Sequence, residues 1–227
     1  MRHVAISLLE PNQPIPRRIE EFENRLKRRK INTYRFFALH PYRARRSFLR
    51  LLRVNPFIEI SKDMVFIISP GGGSGKFGVC LNQLFHEMER GKSPRYLKFE
   101  TFPVHDLPVT HPVNLAYMAA SADFYDVVMR DKRHGRATSY KRDLENYELL
   151  HMLARNFGRH GRYLRELTSA THMGVNMLSK GIVDDALVQK EAAAEIARRL
   201  IRYKFEVREG KEDKKVLTRV RTILRML

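Results

Sequence analysis

The segment Pro70-Gly71-Gly72-Gly73-Ser74-Gly75-Lys76 gathers glycines, a hydroxyl and an ammonium at the end of an apolar run, Met64-Val65-Phe66-Ile67-Ile68-Ser69. Glycines leave main-chain N–H groups open to a phosphate, and a helix that starts where such a loop ends adds a favourable dipole. The spacing predicts that helix: Leu81, Leu84, Phe85 and Met88 share one face, and Gly91 ends the pattern. Lys76 strengthens the anion reading, because a cation in the first helical turn opposes the dipole unless it holds an anion. The chemistry implied is binding of a nucleotide or another phosphorylated small molecule at Gly71, Gly72, Gly73, Ser74, Gly75 and Lys76, with phosphoryl transfer or nucleotide hydrolysis as the reaction.

Two nucleotide patterns overlap on these residues. The P-loop pattern finds its Gly-Lys pair in Gly75-Lys76, but Pro70 stands in the first glycine slot and Phe77 where a Mg²⁺-binding hydroxyl belongs. For ATP or a related nucleotide with Mg²⁺, either Ser74 substitutes as the hydroxyl from within the loop or no metal binds in the usual way. Alternatively, Gly73, Gly75 and Gly78 satisfy the dinucleotide fingerprint, with Glu100 placed for a ribose, which makes NAD(P) and an oxidoreductase the second reading. The bulky Lys76-Phe77 pair ranks it lower. A glycine turn between strand and helix also serves as plain chain reversal.

The remaining polar candidates lie downstream. Glu100, His111 and Asp123 are the catalytic candidates, two carboxylates to place a nucleophile and an imidazole to move a proton. Glu100, Asp123 and Asp131 are the metal candidates, Asp131 because it ends a short apolar run as a Walker B carboxylate does. Lys98 and Asn114 complete the ligand-binding set, and His105 is a further base or only a turn residue. The nine histidines form no His-Glu-x-x-His pattern and have no set of cysteines beside them, which argues against a dedicated zinc site. Cys80 falls within the helical stripe and reads as a small buried residue.

The elements that must position these groups follow from periodicity. His3 to Leu9 reads as a strand, Pro14 and Pro16 precede a helix with Ile19, Phe22 and Leu26 on one face, and Ile31 to Leu39 is a second strand. With the runs at 64–69 and 95–101 this alternation predicts a three-layer, mostly parallel α/β sheet with a P-loop-like strand-loop-helix. Three prolines argue against a helix over 102–114, and one is expected over 115–124. A largely helical C-terminal half follows. Its stripes are Leu144, Tyr147, Leu150, Ala154 and Phe157, then Val188, Ala192, Ile196 and Leu200 after Asp184 as N-cap, then Val216, Val220, Ile223 and Leu227. The expected division is an α/β ligand-binding domain over 1–135 and a mainly helical region over 136–227.

Lys and Arg number 43 against 25 Asp and Glu, a net charge of +18 in 227 residues, and the isoelectric point is about 10.3. Such a balance attracts polyanions, so a basic nucleic-acid-binding module without catalysis is the non-enzymatic alternative. It would use the stripe Arg43, Arg46, Arg50 and Arg53 and the clusters at 155–165 and 198–208. Adaptation to heat produces a similar abundance of Lys and Arg. A single cysteine and the lack of a membrane-length apolar stretch point to the cytoplasm and to no membrane partner.

Several blocks, in order, carry a family resemblance: Pro70 to Lys76, Lys98-Phe99-Glu100-Thr101-Phe102-Pro103-Val104, Leu107-Pro108, His111-Pro112-Val113-Asn114-Leu115-Ala116-Tyr117, Ala122-Asp123, and Thr171-His172-Met173-Gly174-Val175-Asn176. Together they resemble domain of unknown function 1846, an uncharacterised and mostly bacterial family. The resemblance implies a mixed α/β fold and brings no activity. Family members are longer, so the chain looks like their central part. The resemblance implies a missing front domain, and a homo-oligomer or a partner supplying it is expected to complete any shared site.

Overall fold

The computed structural model describes residues 3–39, 45–69, 71, 73–99, 103–124, 127–131, 138–175 and 178–227. Two compact units divide the chain, Met1–Arg95 with Leu149–Arg165, and Tyr96–Glu148 with Glu166–Leu227. They do not follow the linear division expected near residue 135, because one helix, Lys141–Arg155, carries the chain from the second unit back to the first.

In the first unit, strand β1 (His3–Leu9) pairs in parallel with β2 (Asn32–Phe37) through helix α1 (Arg17–Arg28). Pro16 occupies the N-cap position of α1. Its fixed φ suits helix entry without a side-chain cap. Helix α2 (Arg45–Val54) buries Phe48 and Leu52 and stops at Asn55-Pro56. The Asn55 amide then completes the end of β2, accepting from Phe37 N at 2.7 Å and donating to Phe37 O at 3.2 Å.

Helix α3 (Lys76–Glu89) buries Val79, Leu81, Leu84, Phe85 and Met88, the apolar stripe expected for it. Its end is a Schellman motif. Gly91, at φ +78°, sends its N–H to Met88 O, and Lys92 N reaches Glu87 O. One polar row of α3 also holds residues 55–58: Asn82 Nδ2 donates to Pro56 O, Gln83 exchanges hydrogen bonds with Ile58 N and O, and His86 Nε2 meets Asn55 O.

The strand expected at 64–69 forms no ladder, and the described strands make three separate two-stranded pairs in place of the expected layered sheet. Ile67 packs against the cluster of Phe36, Ile58 and Val79, while Met64, Phe66 and Ile68 face solvent. The run has the apolar, β-branched composition of a strand, but β propensity reflects packing and pairing, and among the described residues it has no ladder partner to express it.

In the second unit, β3 (Lys98–Phe99) pairs in parallel with β6 (Gly174–Val175), and β4 (Val128–Arg130) pairs antiparallel with β5 (Thr138–Tyr140). The helix expected over 115–124 runs instead as α4, Pro112–Ala120. Pro112 sits in its first turn, where a missing N–H costs nothing, so this proline starts the helix that it was expected to prevent. Helix α5 is Lys141–Arg155 and α6 is Arg162–Arg165. Helices α7 (Asp185–Arg208) and α8 (Lys214–Leu224) close on α4 around Leu115, Ala119, Ile196, Tyr203, Val216, Val220 and Ile223. Asp184 and Asp213 cap α7 and α8 through Leu187 N and Lys215 N, and Gly210, at φ +69°, ends α7 in a second Schellman motif. Among the described residues no helix is long and apolar enough to cross a membrane.

The turn after α5 leaves no room for a side chain at one position. A Cβ on buried Gly161 would lie 2.2 Å from the Ala154 carbonyl oxygen. Arg165 Nη1 closes the same turn by donating to Ala154 O at 3.2 Å and Gly158 O at 2.6 Å. Gly161→Ala is therefore expected to lower stability by about 1–3 kcal/mol. Gly181→Ala, where a side chain would meet nothing within 4 Å, should stay within about 0.5 kcal/mol. Urea denaturation of the two variants checks the contrast.

Candidate functional site

The glycine loop is held from below by an irregularity in β1. Ile6 pairs with Arg35 and Leu9 with Phe37, so Ser7 and Leu8 together oppose one residue of β2. Leu8 takes φ +62° at this bulge, a conformation unusual for a residue with a side chain. The bulge aims Ser7 at the loop, and its Oγ donates to Ser74 O at 2.6 Å. Gly75 precedes α3 at φ +80°, and a Cβ there would come within 2.9 Å of both Ser7 Cβ and Oγ. Only glycine fits both the dihedral and the space.

Lys76, the first residue of α3, folds its side chain back across the loop. Its Nζ donates to Ser69 Oγ and to Gly71 O, both at 2.7 Å, and lies 3.4 Å from Ser74 Oγ. The two hydroxyls, Ser69 and Ser74, are themselves 2.6 Å apart. A side chain on Gly71 would meet nothing within 4 Å, so the loop is open there. Pro70 and Gly72 lie outside the described residues. Ser7 and Ser69 were not singled out in the sequence. The available signal was that neighbouring parallel strands end at the same edge, which puts the last residues of β1 beside the loop.

The other sequence candidates belong to the second unit, and those described have partners of their own. Asn114 is buried in α4 and spends its whole amide on the preceding loop, accepting from Val104 N and donating to Val104 O and Pro108 O. Both of its amide hydrogens are used, so it acts as a loop closure where a ligand contact was expected. His111 is the N-cap of α4; its Nδ1 accepts from Val113 N at 3.3 Å. That bond leaves Nε2 to carry the proton toward Asp185 Oδ1 at 3.1 Å. Asp131 is buried and accepts from Thr171 N and Thr171 Oγ1 at 3.0 and 2.7 Å. Lys98 pairs with Asp143 at 2.6 Å. Asp123 accepts from Tyr203 Oη at 3.1 Å. Glu100 lies outside the described residues. Among the described residues, no three His, Cys, Asp or Glu side chains converge as a metal site. His105 is buried. Cys80, expected to be buried, is only partly so, and desolvation pushes its thiol up to about 12, away from the thiolate a nucleophile needs.

Tyr203 carries the clearest ionisation signature in the second unit. Burial, and after it the charge of Asp123, pushes its phenol up to about 12. Folding then retains a proton that the unfolded chain releases near pH 10, so this contribution is complete below that pH and disappears as pH rises toward 12. Alkaline unfolding should therefore steepen over this window, and Tyr203→Phe should flatten it in denaturation curves taken at several pH values.

Comparison with known proteins gives a consistent result. The chain is 40% identical over 215 residues to a UPF0371 protein of Clostridium tetani, covering 91% of this chain and 42% of the relative. A UPF0371 protein of Corynebacterium urealyticum is 46% identical over 165 residues, 70% of this chain and 32% of that protein. One from Fusobacterium nucleatum is 39% identical over 215 residues. The chain thus spans about two fifths of the length of the first of these relatives. The family described as "Domain of unknown function DUF1846, N-terminal" matches residues 2–227. With that match over almost every residue, the chain belongs to the DUF1846 family, as the blocks at 70–76, 98–104, 107–117 and 171–176 implied.

Proposed function

We propose that residues 71–76 bind the phosphate groups of a nucleotide, and that the chain is the phosphate-holding part of an enzyme of phosphoryl transfer or hydrolysis. The observation that carries this reading is the Lys76 ammonium lying across the loop on Ser69 Oγ and Gly71 O, next to the open side of Gly71. The ammonium's present partners are neutral oxygens, and a phosphate oxygen would add the attraction of opposite charges to the same hydrogen bonds. The incoming anion also relieves the opposition between Lys76 and the dipole of α3. The positive φ of Leu8 supports the same location, because strained backbone tends to be retained where function requires it.

The residues of the second unit add little to this reading, as His111, Asn114, Asp123 and Asp131 are engaged in holding their own loops and helices. We assign the groups that complete the reaction to a second copy or to the remaining length of the family. A dinucleotide is the second reading. It is favoured by Gly78, where a Cβ would stand 3.4 Å from Leu39 Cδ1, the close packing that the third glycine of that fingerprint provides.

Thermal-shift titration with ATP, GTP, NAD and NADP, with and without Mg²⁺, tests both. A nucleoside triphosphate should raise the melting temperature, and Lys76→Ala should weaken that ligand about tenfold or more while leaving the unliganded protein folded. Ser7→Ala should cost about 1 kcal/mol of stability and weaken the ligand further by loosening Ser74. Stabilisation by NAD or NADP alone would select the second reading. Equal nucleotide affinity in the native and Lys76→Ala proteins would sink the first.

A further inference from the structure

The three basic clusters of the sequence differ in how they are neutralised. At the end of α7, Arg198 and Arg199 share Glu195, Arg202 pairs with Glu206, and Arg208 lies 3.8 Å from Glu209. The stripe at 43–53 begins outside the described residues, and its last member, Arg53, pairs with Glu89. The cluster at 155–165 is different. It contains no acidic residue, and among the described residues no carboxylate pairs with Arg95, Arg155, Arg159 or Arg162.

The first unit also gives this cluster a focus. Arg95, in the irregular segment that follows α3 and its closing turn, places its guanidinium carbon 4.1 Å from the centre of the Tyr163 ring, and Arg162 places its own at 4.4 Å. Arg162 Nη2 also donates to the Tyr163 hydroxyl at 2.6 Å. Exposed Arg159 extends the patch, its Nε lying 3.4 Å from His160 Nε2, and His160 packs over Gly91. Like charges held about one ring repel one another, so the arrangement costs the free protein energy that an anion would return. Hydrogen bonds from Arg95 and Arg162 hold the Tyr163 phenol below the ordinary tyrosine range. The phenol oxygen thus reports a local field that favours negative oxygen.

We propose that Arg95 and Arg162, arranged about Tyr163, together with exposed Arg159 in the turn before it, form a docking surface for the phosphate backbone of single-stranded nucleic acid. Arginine supplies charge together with a planar group, and the faces of the Arg95 and Arg162 guanidiniums turned away from the ring offer stacking to unpaired bases. A duplex hides its base faces, and an anionic membrane has none. The surface is separate from the glycine loop in sequence and in its ligand chemistry, and it stands whether or not residues 71–76 bind a nucleotide.

The experiment is fluorescence anisotropy of a labelled mixed-sequence 20-nucleotide RNA titrated with the protein at several KCl concentrations. The variant Arg95→Gln/Arg159→Gln/Arg162→Gln should weaken binding at least tenfold and flatten the slope of log affinity against log salt by about 2. A control of equal charge loss, Arg198→Gln/Arg199→Gln/Arg202→Gln, should remain within about twofold of the native protein, because its guanidiniums are already occupied. Arg159→Glu, a single exposed change, repeats the test with the smallest structural demand. Equal losses in the two triple variants would show that net charge alone binds RNA. Absence of RNA binding at 50 mM KCl, or preferential binding of the patch to phosphatidylserine vesicles, would overturn the proposal as well.

Discussion

A side chain at position 75 would have to share space with Ser7, and that exclusion organises the first unit. Because Gly75 lacks one, the end of β1 can approach the start of α3 closely enough for Ser7 to hold Ser74 by its main chain. The helix is then fixed at three levels. The loop sets its first turn, the row of Asn82, Gln83 and His86 binds the 55–58 segment along its middle, and the Schellman motif at Gly91 ends it. Each device satisfies main-chain groups with side chains or turns where sheet ladders are short, as buried polar groups require.

The second unit uses polar residues in a comparable way. Asn114 closes the loop before α4, His111 caps it, and Asp131 gathers the amide and hydroxyl of Thr171. These are structural engagements of residue types that also perform catalysis. A histidine, an asparagine and two aspartates near prolines and glycines look alike in sequence whether they hold a ligand or a loop. What separates the two cases is whether their donors and acceptors are already used.

Charge shows the same dependence on context. A net +18 describes the whole chain and favours any polyanion. The ion pairs make it uneven, with the arginines of α7 paired to glutamates one turn away and those around Tyr163 left facing solvent and an aromatic ring. The i, i+3 and i, i+4 pairs on α7 were readable from spacing. The meeting of Arg95 with Tyr163 was not, since 68 positions separate them and only the path of the chain after α3 brings them together.

The sequence by itself determined much of the helical framework: the apolar faces of α3, α7 and α8, the aspartate cap at 184, and the loop-to-helix transition at Gly75-Lys76. These depend on neighbours within a few residues, and local spacing contains that information. Strand pairing was decided by the tertiary structure. The run at 64–69 has the apolar composition of a strand and no ladder, and Pro112 begins a helix where local rules expected none. The tertiary structure also decided which polar side chains were consumed and which remained available, because a ladder, a buried amide or a shared carboxylate requires a partner far along the chain, and nothing in the local residue order specifies where that partner will stand.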